Sequence, residues 1–83
     1  MKTQFIEKKI TYDDINDILY VTFANDQGNS YAEEEEQGIE IMHDSITDDV
    51  TGLMVFAPRM KLKDRQQKLY NLGYIIDLAS FCQ

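Results

Sequence analysis

Several residue types that define common small folds are almost absent from this chain, which has one cysteine, one histidine, one proline and no tryptophan. The lone Cys82 cannot close an intrachain disulfide, and it cannot supply the several thiolates of a structural zinc site. No stretch reaches the roughly 18 consecutive apolar residues of a membrane-spanning helix, and residues 1–10 lack the apolar core of a signal peptide. We therefore expect a cytoplasmic protein that has no membrane partner and no disulfide.

The chain is also short, and acidic residues dominate its charge. Its 83 residues are enough for one compact domain and too few for two, so we predict a single domain over residues 1–83. Fifteen acidic residues against eight basic ones give a formal net charge of -7. Because such a molecule repels phosphate backbones, we expect no direct nucleic-acid ligand.

Positive charge is missing from more than half of the chain, since no Lys or Arg occurs between residues 10 and 58. That span holds twelve carboxylates, and four of them are consecutive at 33–36. The following residues, 59–68, carry five positive charges and one negative charge. The sequence thus predicts an acidic block followed by a short basic segment, which we expect to balance part of the charge of the block.

Alternating apolar and polar residues divide the acidic block into strands. Runs rich in β-branched and aromatic residues, such as 18–23, indicate half-buried strands, and clusters of Asn, Asp and Gly separate them. The run 53–56 is apolar on both faces, which a strand covered on only one side does not require. We predict a sheet over about residues 4–57, with strands at 6–12, 18–23, 31–36, 39–43 and 50–56, the third being a polar strand or an extended edge.

The periodicity changes after Pro58, where the pattern becomes helical. Proline suits the first turn of a helix, and Asp64 with Gln67 three residues later forms an alternative capping-box start. From Leu69 onward the segment is apolar nearly all round, so it needs a protein cover on more than one side. We predict one helix over about residues 59–82. The fold class is then α+β, an antiparallel β-sheet of four or five strands followed by one C-terminal α-helix.

Part of this pattern resembles a known family. The matching residues are Tyr12-Asp13, Asp17-Ile18-Leu19-Tyr20-Val21, Gly38-Ile39-Glu40-Ile41 and Val50-Thr51-Gly52-Leu53-Met54-Val55. Over roughly residues 10–56 the chain resembles a widespread family of small prokaryotic domains of unknown function, the one numbered twenty-two eighty-three. The resemblance implies an antiparallel sheet with a helix against it and no established activity. The chain departs from the family pattern in its long apolar C-terminal segment and in the glycine-poor turn at 45–49.

The spacing of Asp13 and Asp17 has a structural explanation. Both flank a short connection between two predicted strands, where backbone N–H groups need acceptors. A carboxylate supplies such an acceptor in an Asx-type turn, so we expect both residues to bind the backbone of this connection.

No residue pattern in the chain indicates catalysis or a cofactor. His43 and Asp44 suggest a base with its orienting carboxylate, but neighbours on a strand point to opposite faces, so we interpret His43 as structural. No serine lies in a G-x-S-x-G elbow, and the Asp clusters at 13–17 and 44–49 lack the spacing of calcium-binding loops. We therefore predict a protein that is not an enzyme, with no cofactor, no catalytic residue and no metal ligand.

Two hypotheses explain the four consecutive glutamates. As a solvated face, they keep the edge of the sheet from pairing with another chain through like-charge repulsion. As a functional surface, they attract a basic protein partner, including a nucleic-acid-binding protein whose ligand they mimic. The predicted partner-binding residues are Glu33, Glu34, Glu35 and Glu36.

The amount of apolar surface favours self-association, because an 83-residue monomer has only one core in which to bury it. We predict a homodimer whose interface includes Met54, Phe56, Leu69, Leu72 and Ile76. The leading hypothesis is a non-enzymatic acidic interaction protein that binds itself and a basic protein partner, which it neutralises or whose nucleic acid it mimics. The alternatives are a small carboxylate-based metal-binding or hydrolytic module and a purely structural homo-oligomeric subunit.

Overall fold

A computed structural model describes residues 8–82 of the chain, and it confirms the predicted α+β class. A five-stranded antiparallel sheet precedes one α-helix and a short 3-10 helix. The strands are β1 (Lys8–Asp13), β2 (Ile18–Phe23), β3 (Ser30–Glu36), β4 (Ile39–Asp44) and β5 (Val50–Phe56); the helix is α1 (Leu62–Asn71), and the 3-10 helix spans Leu78–Ser80. The part of the predicted sheet at 4–7 lies outside the described residues.

The order of the strands places the last one in the middle of the sheet. The sheet runs β1-β2-β5-β4-β3, and all neighbouring strands are antiparallel. Because β5 has a neighbour on each side, its continuous apolar run is shielded along both edges of the strand. The polar strand β3 lies at one edge of the sheet, as the sequence predicts, and β1 lies at the other.

One face of the sheet forms the core together with the C-terminal part of the chain. Leu19 and Ile39 flank Val55 across neighbouring strands, and the next buried row lies two residues along each strand. Residues between these rows point to the opposite face, so within residues 8–82 the C-terminal part of the chain covers only one face of the sheet. The buried apolar residues are Leu19, Val21, Ile39, Ile41, Leu53, Val55, Leu69, Ile76, Leu78 and Cys82.

The predicted helix over 59–82 is too long at its C-terminal end, because α1 ends at Asn71. Gly73 has a φ of 94°, a left-handed conformation that glycine adopts without steric cost. The backbone N–H of Gly73 donates to the carbonyl of Tyr70, and that of Tyr74 donates to the carbonyl of Leu69. These two bonds form the Schellman motif that ends many helices, so Gly73 is a stop signal within the apolar segment.

The start of the helix also differs from the prediction. The N-cap residue is Lys61, and no side chain caps the first turn, so the expected capping box of Asp64 and Gln67 is wrong. Pro58 is buried in the turn before the helix and does not occupy its first turn. Asp64 instead pairs with Lys68 one turn later at 3.1 Å, and hydrogen bonds from Lys68 and then Arg65 outweigh burial and lower the pKa of Asp64.

The residues after α1 pack against the helix and have no regular secondary structure before Leu78. The Gln66 side chain joins the two segments, since its Nε2 donates to the Ile76 carbonyl at 2.7 Å and its Oε1 accepts the N–H of Leu78 at 2.9 Å. Cys82 is buried, and this burial raises the pKa of its thiol. Among the described residues, no helix has the length and the apolar character needed to cross a bilayer.

Asp13 forms the predicted Asx-type turn. Its Oδ1 accepts the backbone N–H groups of Ile15 at 3.0 Å and Asn16 at 3.2 Å. Its Oδ2 accepts the side-chain amide of Asn16 at 2.9 Å. Hydrogen bonds from Asn16 and Ile15 outweigh partial burial and lower the pKa of Asp13.

Asp17 has a different role from the one predicted, because it binds a distant part of the backbone. Its carboxylate accepts the N–H groups of Arg59 and Met60, both at 3.1 Å, and the Tyr12 hydroxyl at 2.8 Å. Burial opposes ionisation of Asp17, but these donors outweigh it and lower the pKa of Asp17. Partial burial and the hydrogen bond to Asp17 raise the pKa of Tyr12 to about 12. The Tyr12–Asp17 pair thus joins the first hairpin to the loop before α1.

Candidate functional site

The four consecutive glutamates lie on the edge strand β3, where they divide between the two faces of the sheet. Glu33 is opposite Ile41 on the core side, whereas Glu34 is opposite Glu40 on the uncovered side. A β-bulge between Glu34 and Glu36 leaves Glu35 without a residue directly across from it. The side chains at 33–35 are exposed, and the one at 36 is half-buried. The predicted acidic surface is therefore two-sided.

His43 lies on β4, at the margin of the core face. Its ring stacks on Tyr31 of β3, with 5.4 Å between the ring centroids and 25° between the planes. Its Nδ1 is 3.4 Å from the Asp48 carbonyl, which only accepts hydrogen bonds, so Nδ1 is the protonated nitrogen in this contact. Its Nε2 is shielded from solvent and has no hydrogen-bond partner among the described residues, although Glu33 Oε1 lies 3.5 Å away.

The turn after β4 holds Asp48 beside this ring. Asp44 is buried, and its Oδ1 accepts the N–H groups of Ile46 at 2.8 Å and Thr47 at 3.0 Å. Both hydrogen bonds lower the pKa of Asp44, and the bond from Thr47 has the larger effect. Asp48 has a φ of 67°, its N–H donates to the Asp44 carbonyl, and its Oδ1 accepts the Tyr31 hydroxyl at 2.5 Å. Asp44 thus stabilises the turn and does not orient the imidazole of the preceding residue.

Three side chains converge between β3 and β4. Glu33, Glu35 and His43 each contribute one oxygen or nitrogen atom, and these three atoms lie within 4.8 Å of one another. Such a set of imidazole and carboxylate groups is suitable for a metal ion. The sequence-based prediction of no metal ligand overlooked this grouping. A β-hairpin centred on Gln37 and Gly38 was the available signal, because its register brings these positions of the two strands together.

The predicted interface residues fall into two groups. Met54 and Phe56 are half-buried on the uncovered face of the sheet, which we call the open face; Met54 lies between Tyr20 and Glu40. Leu69 and Ile76 are 0% and 6% exposed within the core, so their assignment to an oligomer interface is wrong. They cover the core face of their own sheet. The fifth residue, Leu72, is half-buried against the core.

The basic segment makes few direct contacts with the acidic block. Within residues 8–82, the ion pairs of Lys and Arg side chains are those of Arg65 and Lys68, and both go to Asp64 of the same helix. Lys68 also approaches the Gln37 carbonyl at 3.4 Å. In this part of the chain, no Lys or Arg forms an ion pair with the carboxylates at 33–36. The negative charge of β3 is therefore not neutralised by direct pairing with described cations.

No family model, no curated protein and no solved structure matches this chain. Membership of the family of domains of unknown function therefore stays a prediction that depends on the motif around Tyr12 and Asp17. With no matching protein to suggest an activity or a partner, function is inferred from the geometry of the described residues.

Proposed function

We propose that the protein is a non-enzymatic acidic interaction protein of the cytoplasm, which forms a homodimer and binds a basic protein partner along β3. The observation that carries this proposal is an edge strand with three exposed carboxylates, at 33–35, that no described Lys or Arg pairs. An edge strand also presents unpaired backbone N–H and C=O groups, which an extended segment of a partner can bind.

The two hypotheses for the glutamates are compatible in this arrangement. Like charges repel a second β3 strand, which protects the edge from pairing with another copy. The same charges attract a segment rich in Lys or Arg, and they accelerate its association at low salt. The negative charge of β3 therefore favours binding of a basic segment and disfavours pairing with another acidic strand.

The groove beside α1 gives no support for an enzymatic alternative. It is open to solvent, and its lining residues are Leu62, Lys63, Gln66, Gln67, Tyr70 and Ala79. These side chains include no carboxylate, imidazole or thiol, and the titratable groups among them are those of Lys63 and Tyr70, with no acidic or imidazole partner in the lining. Absence of catalysis, the cytoplasmic location and membership of the family named above all belong to this proposal.

Changing both Glu34 and Glu36 to Lys is expected to reduce capture of a basic protein from a lysate of the native host by about tenfold, because like charges then face the partner. The Glu33, Glu35 and His43 group stays intact in this variant. Capture by the unmodified chain is expected to fall as salt is raised, since the Debye length is only about 8 Å at physiological ionic strength. Pull-down at two salt concentrations with quantitative mass spectrometry measures both effects.

The matched control changes Asp14 and Asp49 to Lys, two exposed residues outside β3. Both double variants raise the formal net charge from -7 by the same amount, so their comparison separates a change on β3 from a change in total charge. Equal losses in the two variants would indicate a general charge effect. An unchanged set of captured proteins in the β3 variant would remove the recruitment hypothesis and leave edge protection as the role of the glutamates.

The homodimer is expected to form through the open face, and Met54→Glu is expected to convert it to a monomer. Met54 lies on the central strand beside Glu40, so the variant places two like charges at the middle of this face. Sedimentation equilibrium at micromolar concentration should give about twice the chain mass of 9.7 kDa for the unmodified protein and the single mass for the variant.

Met60→Glu is the control, because Met60 is 81% exposed in the loop before α1. This variant should keep the mass of the dimer. A monomer mass for the unmodified protein would refute self-association. A dimer that captures no basic protein would instead favour the alternative of a purely structural subunit.

A further inference from the structure

We propose that Glu33, Glu35 and His43 form a binding site for one divalent transition-metal cation of the zinc type. The site lies on the hairpin of β3 and β4, at the margin of the core face. This inference goes beyond the proposed function, since it requires neither a dimer nor a protein partner.

The first argument for a metal site is that one ring nitrogen of His43 has no hydrogen-bond partner among the described residues. Because the Asp48 carbonyl only accepts, the Nδ1–H of His43 donates to it, and a neutral ring then has its lone pair on Nε2. This Nε2 is shielded from solvent and has no hydrogen-bond partner among residues 8–82. Buried polar atoms are nearly always satisfied in folded proteins, so an unpartnered imidazole nitrogen grouped with two carboxylates indicates an unfilled ligand position.

The surroundings of His43 have the features of a second ligand shell. In metal sites, the nitrogen that does not bind the ion usually donates to a carbonyl or a carboxylate, which fixes the orientation of the ring. The Asp48 carbonyl has this role here, and the Asp48 side chain is itself held by the Tyr31 hydroxyl. Tyr31 also stacks on the imidazole, so the ring is fixed from two directions.

The distances are compatible with capture of an ion by small side-chain movements. Ligand atoms of a tetrahedral zinc ion lie about 3.3 Å apart, given bonds of roughly 2.0–2.1 Å. The three atoms here lie within 4.8 Å of one another, so any pair has to approach by at most about 1.5 Å, and Glu33 Oε1 is already 3.5 Å from His43 Nε2. Glu33 and Glu35 are exposed and rotate freely, whereas His43 is held in place.

The ligand set selects the class of ion. One imidazole nitrogen with two carboxylate oxygens suits zinc and its neighbours in the first transition row. Calcium and magnesium favour six or more oxygen ligands, which this site does not offer. Three protein ligands leave a fourth position for water or for a group from another molecule.

The test is a zinc titration of the full chain after treatment with a chelator. Isothermal calorimetry is expected to show one zinc ion per chain, and the melting temperature is expected to rise with zinc concentration through linkage. Cobalt should give the visible absorption bands of a tetrahedral site. Glu35→Gln, at an exposed position outside the core, and His43→Gln should each weaken zinc binding by more than about tenfold, since even outer-shell partners typically contribute 10–100-fold.

Glu34→Gln is the matched control, because it removes the same charge from the same strand on the opposite face. This variant should bind zinc as tightly as the unmodified chain. Equal weakening by Glu34→Gln and Glu35→Gln, or an equal rise in melting temperature with magnesium, would reduce the effect to nonspecific attraction of cations and overturn the proposal. Absence of saturable binding would overturn it too, leaving the 3.5 Å approach of Glu33 to His43 as a polar contact only.

Discussion

Gly52→Ala is expected to destabilise the protein by at least about 3 kcal/mol, at the upper end of the range for overpacked positions. A Cβ atom at Gly52 would lie 2.3 Å from the backbone carbonyl oxygen of Val21 on the neighbouring strand. That oxygen belongs to the sheet backbone and cannot rotate away as a side chain does. The two central strands β2 and β5 must therefore separate at this point, which strains their hydrogen bonds. Urea denaturation followed by circular dichroism measures the loss.

Gly28→Ala is the appropriate comparison, because a Cβ atom there meets nothing within 4 Å. Its φ of 87° still disfavours alanine, so this variant should lose only about 1–2 kcal/mol, the cost of a left-handed backbone. If Gly52→Ala costs no more than Gly28→Ala, the close approach of β2 and β5 is not a constraint on the sheet.

The strands were predictable because each one has a local signal. The bounds predicted for β2 and β5 equal the observed ones, Ile18–Phe23 and Val50–Phe56, since their β-branched and aromatic runs end at turn residues. The order of the strands has no local signal. Only the structure reveals that β5 lies between β2 and β4 and that Gly52 belongs to a close contact of two backbones.

The length of the helix was not predictable from apolar content. A segment that is apolar nearly all round suggested one buried helix, but Gly73 ends α1 one residue after its C-cap. After Gly73 the chain is no longer helical, yet Ile76 and Leu78 are buried in the core, and Gln66 binds the backbone of both residues. An apolar segment can thus be buried either as one long helix or as a helix followed by a non-helical segment. In this chain Gly73 ends the helix and gives the second arrangement.

The grouping of Glu33, Glu35 and His43 depends on facts of the same non-local kind. Glu33 and Glu35 lie ten and eight positions before His43, and they meet it only because the β3–β4 hairpin has a particular register and a bulge. Asp17 is a second example. Its neighbours suggested a bond within its own turn, but its carboxylate binds the backbone at Arg59 and Met60, more than forty residues away.

Ile76→Asp is expected to abolish the cooperative unfolding transition. Ile76 is 6% exposed in the core, and burial of an unpaired carboxylate costs several kcal/mol. A domain of this length has only about 4–12 kcal/mol of total stability, at the usual 0.05–0.15 kcal/mol per residue. The substitution therefore removes a large part of the free energy of unfolding. Thermal and urea unfolding followed by circular dichroism should show a non-cooperative signal.

The adjacent residue provides the sharpest comparison, because Ile75 is 87% exposed while Ile76 is buried. Ile75→Asp should change the free energy of unfolding by no more than about 0.5 kcal/mol, as is usual for surface positions. Leu72→Asp, at a half-buried position, should be intermediate. A helix buried on all sides through residue 82 would make all three variants comparably damaging. The expected contrast between two neighbouring isoleucines arises because the chain after Gly73 leaves the helix, so that Ile75 faces solvent while Ile76 enters the core.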